Sequence, residues 1–77
     1  MKYFVIEETA GQGTRIYIKE NGKYIESMPI EVYTNPESFK CKYGDVAYKR
    51  RMEQLKGLER VENERAYAWE NGWVDML

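Results

Sequence analysis

The chain has 77 residues, room for one domain whose core must be thin, since at this length folding buries only roughly 60% of the unfolded surface. Twelve basic and 13 acidic residues leave a net charge of −1, a balance that speaks against an electrostatic nucleic-acid clamp and equally against an acidic mimic of DNA. The absence of histidine removes the commonest general base and metal ligand, and a lone cysteine, Cys41, permits no internal disulfide and suggests a reducing, cytoplasmic setting.

The first half reads as strands. Tyr3 to Glu8 is rich in aromatic and β-branched residues, and its apolar run is too short for a signal peptide or a membrane span. Glu7 and Glu8 point to opposite faces of such a strand and cannot share a proton or a metal ion. Gly11-Gln12-Gly13-Thr14 resembles a fragment of a phosphate-cradling loop, but those loops lead into a helix and here a strand follows, so a turn is expected. Arg15 to Glu20 alternates, and Glu20-Asn21-Gly22-Lys23 carries the Asn-Gly pair of a two-residue type I′ hairpin turn. Such a turn sets Glu20 against Lys23, Lys19 against Tyr24, Ile18 against Ile25 and Tyr17 against Glu26. One face would then carry Ile16, Ile18 and Ile25, and the other Arg15, Tyr17, Lys19, Tyr24, Glu26 and Met28.

Pro29 lacks an N–H and should end or bend that strand, with Ile30, Val32 and Thr34 as its continuation or as a fourth short strand. Thr34-Asn35-Pro36-Glu37 has the spacing of a capping box with proline in the first turn, and predicts a short helix that stops at Gly44. Cys41 lies there between Lys40 and Lys42, whose charge would favour a thiolate, although an incidental cysteine is the simpler expectation. Asp45 is expected to cap a longer helix. From Val46 onward Tyr48, Met52, Leu55, Leu58, Ala66 and Trp69 recur at a helical period, interrupted by Glu59 and Glu62 and weakened at Gly57. No proline or turn cluster separates the halves, so one long helix is expected. Asn71-Gly72 fits either a second hairpin turn or a left-handed helix cap, and the glutamates and alanines before it favour the cap.

The expected fold is therefore α+β: a single domain over residues 1–77, with a three- or four-stranded antiparallel meander within 2–34 and a helical region over 36–71. Charge is uneven along it. Lys49, Arg50, Arg51, Lys56 and Arg60 outnumber Glu53 and Glu59, whereas Glu62, Glu64, Glu70 and Asp75 outnumber Arg65.

No motif for catalysis, cofactor or metal binding stands out, and no cofactor is expected. Trp69 should close the helix onto the Ile16, Ile18 and Ile25 face. Trp73 lies beyond the expected cap, followed by Val74, Met76 and Leu77, and tryptophan and methionine are enriched at the centres of protein interfaces. The expectation is a small non-enzymatic protein that binds another protein through Trp69, Trp73, Met76, Leu77, Tyr17 and Tyr24, as a homodimer. By analogy of size and composition it would be an inhibitor or accessory factor of the kind bacteriophages direct against host defences. Two alternatives are a nucleic-acid module using Arg15, Lys19, Lys49, Arg50 and Arg51, and an oligomer that sequesters a small anionic, nucleotide-like ligand.

Overall fold

A computed structural model describes residues 1–70. The expectations for the Asn71-Gly72 step and for Trp73, Met76 and Leu77 lie outside the described residues.

Three strands, β1 (Lys2–Thr9), β2 (Gly13–Glu20) and β3 (Lys23–Pro29), form an antiparallel meander, as the alternation predicts. Gly11-Gln12 turns β1 into β2, where the Gln12 N–H donates to the Thr9 carbonyl at 3.1 Å. At the second turn Asn21 and Gly22 have φ of 52° and 84°, the paired positive angles that a type I′ turn demands. Its register begins as expected, with Glu20 opposite Lys23 and Lys19 opposite Tyr24.

The register then shifts by one. Between Ile18 and Lys19 the ladder is irregular, and Ile18 pairs with Glu26, Tyr17 with Ser27 and Ile16 with Met28. Ile25 is the extra residue, and because side chains alternate with period two, a single bulged residue sends everything beyond it to the opposite face. Met28 is thereby fully buried opposite Ile16, Glu26 moves to that same side, and Ile25 is left 47% exposed. The faces expected for Ile25, Glu26 and Met28 are corrected accordingly.

Pro29 ends β3, but no strand continues beyond it. Ile30 to Thr34 instead makes one helical turn, α1 (Glu31–Thr34), which drives Val32 into the core. α2 (Pro36–Tyr43) follows with proline in its first turn, capped by Asn35, whose side-chain oxygen accepts from the Ser38 N–H at 3.3 Å. The cap is Asn35 and not Thr34, whose hydroxyl donates back to the Ile30 carbonyl. α3 (Asp45–Leu55) opens after Gly44 at φ 90°, and Asp45 sits inside the first turn, where its charge suits the helix dipole, without capping it.

The long C-terminal helix is not formed. α3 stops at Leu55, Gly57 takes φ 78°, and Glu59–Arg60 becomes β4, parallel to β1 through Tyr3 opposite Glu59 and Phe4 opposite Arg60. A separate helix, α4 (Glu64–Glu70), begins at Asn63, whose side-chain oxygen accepts from the Ala66 N–H at 3.3 Å. Glu59 and Glu62, which interrupt the helical stripe, mark the break. The fold is α+β with a mixed sheet in the order β3-β2-β1-β4.

Helices cover both faces. Phe4, Ile16, Ile18 and Met28 meet Val32, Phe39 and Leu55 beneath α1, α2 and α3, while Tyr3, Val5 and Val61 form a second cluster with Tyr17 and Tyr67 on the α4 side. Trp69 therefore does not close onto the isoleucines: its helix lies across the other face, and its side chain is 67% exposed.

The bulge orders two substitutions. Met28→Ala, which empties a fully buried site, should cost about 2–5 kcal/mol, and Ile25→Ala about 1 kcal/mol or less. Urea denaturation of both variants checks this; a regular hairpin register would reverse the ranking.

Candidate functional site

α3 lies toward one side of the sheet. On its β3 flank Gln54 donates to the Glu26 carboxylate at 3.1 Å, and Arg51 reaches the same group at 3.5 Å. Glu26 also accepts from the Ser27 backbone N–H, the chief reason its carboxyl is held below the usual carboxylate range, and the Gln54 and Arg51 contacts act in the same direction. Other residues of α3, Tyr48, Met52 and Leu55 among them, turn toward Phe4 of β1 and Arg60 of β4. There an open groove of about 800 Å³ runs between the helix and the strand edge.

Its floor and walls are apolar. Phe4 comes from β1, Tyr48, Met52 and Leu55 from α3, and Leu58 from the segment that follows it. Tyr33 from α1 stands edge-on to Phe4, with ring centroids 5.8 Å apart. Met52 and Tyr33 remain 38% and 46% exposed. Lys49 on the helix, Lys56 at its C-cap and Arg60 on β4 supply the cations, with Glu53 as the one carboxylate in the lining. Among the described residues neither lysine has a carboxylate within ion-pair distance, and Arg60 has only Glu62 at 3.8 Å.

The opposite face is tied together by polar contacts. Lys19 is 7% exposed on β2, and its ammonium donates to Glu64 of α4 at 2.5 Å. The Tyr3 hydroxyl donates to the same Glu64 oxygen at 2.8 Å. Burial first, and then the Glu64 carboxylate, push the Tyr3 phenol far above the ordinary tyrosine value. Tyr67 of α4 packs on the Tyr3 ring at 5.2 Å, and burial raises its phenol as well. Toward the edge Tyr24 meets Tyr17 at 5.3 Å, lies beneath the Lys19 ammonium at 4.4 Å, and donates to Glu7 at 2.9 Å, the main cause of its own raised value.

The residues singled out in the sequence are thus distributed over several places. Tyr17 and Tyr24 come together on the α4 face, and Trp69 is exposed on α4 itself. Arg15 lies on the tyrosine side of β2 and donates twice to the Ser27 hydroxyl, at 3.1 and 3.0 Å. Lys19 is buried and paired, while Lys49, Arg50 and Arg51 sit on α3 across the sheet, with Arg51 engaged by Glu26 and Gln54. The five cations do not form one surface. Cys41 is exposed and free on α2, but its flanking lysines are occupied, Lys40 over the Tyr48 ring at 4.4 Å and Lys42 on Glu31 at 2.9 Å.

Phe4, Tyr33, Tyr48, Leu58, Lys56 and Arg60 were not singled out as a site. Two signals were nonetheless present, the stripe Tyr48, Met52, Leu55 and Leu58 and the excess of cations over residues 49–60. What alternation alone does not give is that α3 ends at Leu55 and the chain returns beside β1 as β4.

Comparison with family models, with curated proteins and with solved structures gave no significant match.

The polar contacts of the α4 face make alkaline stability a test of its geometry. Tyr3, Tyr24 and Tyr67 each hold their proton more tightly folded than unfolded, so each stabilises the fold fully below the ordinary value of 10, and that contribution is lost as pH rises beyond it. Urea denaturation from pH 8 to 11 should show stability falling above about pH 10, and Tyr3→Phe should flatten the fall. At pH 7, Glu64→Gln should cost about 1–2 kcal/mol, because it strips the charged partner from a buried ammonium that stays in place.

Proposed function

We propose that this chain is a non-enzymatic binding module of the inhibitor or accessory-factor kind, and that it holds a segment of another protein in the groove between α3 and β4. The observation that carries the reading is the groove itself: a contiguous apolar surface, lined by Met52, Tyr33, Tyr48 and Leu58, left open on a domain too small to leave such area uncovered at no cost. Exposed apolar residues scattered singly are ordinary, but several converging on one concavity with a polar rim have the anatomy of an interface centre. Methionine and tyrosine suit that place, since both offer large contact area and adapt to a partner's shape.

Supporting the non-enzymatic part, the groove brings together one carboxylate and three cations, with neither a thiol nor an imidazole beside them. The lining can attract a partner through its cations and hold it through its apolar area.

Panning a random peptide library on the purified protein tests this directly. Recovered peptides should shift the NMR signals of Tyr33, Tyr48, Met52 and Leu58, and Met52→Asp should weaken their binding tenfold or more while circular dichroism shows the fold retained. Peptides that map to the tyrosines of the α4 face, or that bind the Met52→Asp variant as well as the parent, would overturn the assignment.

A further inference from the structure

Once the groove is taken as a protein-binding site, the reading on which this inference rests, its chemistry narrows the occupant. We infer that the occupant is an acidic amphipathic helix, its apolar stripe on the groove floor and its carboxylates against Lys49, Lys56 and Arg60.

Charge complementarity supplies the first half of the argument. Lys49 on α3 and Lys56 at its C-cap are seven residues apart, two turns along one flank and about 10 Å along the axis at 1.5 Å per residue. Both are exposed, and among the described residues neither has an ion-pair partner. Arg60 stands on the β4 wall across the groove, its only carboxylate partner among the described residues being the solvent-exposed Glu62 at 3.8 Å. An occupant is therefore met by cations from both sides, with Glu53 alone opposing them. Carboxylates flanking an apolar stripe satisfy this arrangement, whereas a basic segment would meet like charge on both walls.

The floor supplies the second half. Tyr48, Met52 and Leu55 belong to α3, Phe4 lies in β1 between β2 and β4, and the Leu58 N–H donates to the Leu55 carbonyl, so the backbone groups of these lining residues are already engaged within the fold. An extended segment laid on such a floor would leave its own N–H and C=O groups without partners on the buried side. A helix satisfies those groups internally and presents anchors at i, i+3, i+4 and i+7, a length that matches the stretch of α3 from Tyr48 to Leu55. Nucleic acid fits less well. Arg15 and Lys19 are on the other side of the sheet, so the cations form no continuous surface for a phosphate backbone.

A charge swap decides between acidic and basic occupants. Two blocked 15-residue peptides would carry the same leucines at i, i+3, i+4 and i+7, one with flanking glutamates and the other with lysines in their place. Fluorescence anisotropy should show the acidic peptide binding the parent protein at least tenfold more tightly than the basic one, with an affinity that falls as salt is added. In the Lys49→Glu/Lys56→Glu variant, whose folding circular dichroism would verify, that preference should reverse. Equal binding of both peptides, a preference for the basic one, or an unchanged preference in the variant would overturn the inference while leaving the groove a protein-binding site. So would a single-stranded oligothymidylate that displaces the acidic peptide from the groove. If neither peptide binds but panned peptides still bind in a Met52-dependent way, the partner chemistry assigned here is wrong. If panned peptides also ignore Met52, the reading of the groove falls with it.

Discussion

One extra residue in β3 decides what the rest of the molecule can do. Without the bulge at Ile25, the hairpin would carry Ile25 inward opposite Ile18 and turn Met28 out. With it, Met28 fills the core opposite Ile16, and Glu26 comes up on the helical face at the sheet's edge. There it engages Arg51 and Gln54, so the polar flank of α3 has its partner at β3. These half-exposed contacts are individually weak, and the burial of Leu55 and Phe39 does more to hold the helices down. Their significance is directional. With α3 tied to Glu26 of β3 on one side, the groove lies on its other side, toward Phe4 of β1 and Arg60 of β4.

The second face solves a different problem. A lysine near the end of β2 is an awkward residue to bury, since an ammonium taken from water without a partner is expensive. Glu64 of α4 neutralises it, and Tyr3 donates to the same carboxylate, so a single oxygen ties two strands to one short helix. A helix of seven residues has little stability of its own. The Asn63 cap, the Tyr67 ring on Tyr3 and the shared Glu64 are what seat it. Removing Lys19 and Glu64 together in favour of apolar side chains would be less harmful than removing either alone, which marks the pair as a device for placement more than for stability.

Much of the strand architecture was legible because its signals are local. Asn21-Gly22 has few conformations compatible with a hairpin, and alternation from Arg15 to Glu20 separates two faces without reference to anything distant. The helix start at Pro36 was legible for the same reason. The bulge was not, because nothing in the stretch Lys23-Tyr24-Ile25-Glu26 distinguishes a regular strand from one carrying an extra residue; that choice belongs to Met28 and the core it fills. The break after Leu55 was written only faintly, in Gly57 and in two glutamates on what should have been an apolar stripe. Continuous helical propensity across residues 46–70 was outweighed by the backbone pairing that β4 gains from β1, where the Val61 N–H donates to the Phe4 carbonyl at 2.9 Å. The candidate site depends on both of these non-local choices, so its residues were visible in the sequence as a stripe and a charge excess but not as a place.

The early end of α3 also explains why the groove is not simply a packing fault. Had the helix continued as its periodicity suggests, the stripe through Leu58 would have run on past the sheet. By turning at Gly57 the chain brings Leu58 back against the core and lays Arg60 along β1, which builds the groove's second wall. A fault in packing leaves a gap bounded by whatever happens to be near. Here the two walls come from segments that had to separate and return, the floor is continuous with the buried core at Phe4 and Leu55, and the cations stand at the rim with their stems available to lie along apolar surface. Folding alone does not call for an exposed methionine at position 52, and lysines at 49 and 56 are good helix formers that would serve α3 equally well on any solvated face. Their convergence on one concavity is what favours a surface selected for contact over one tolerated by the fold.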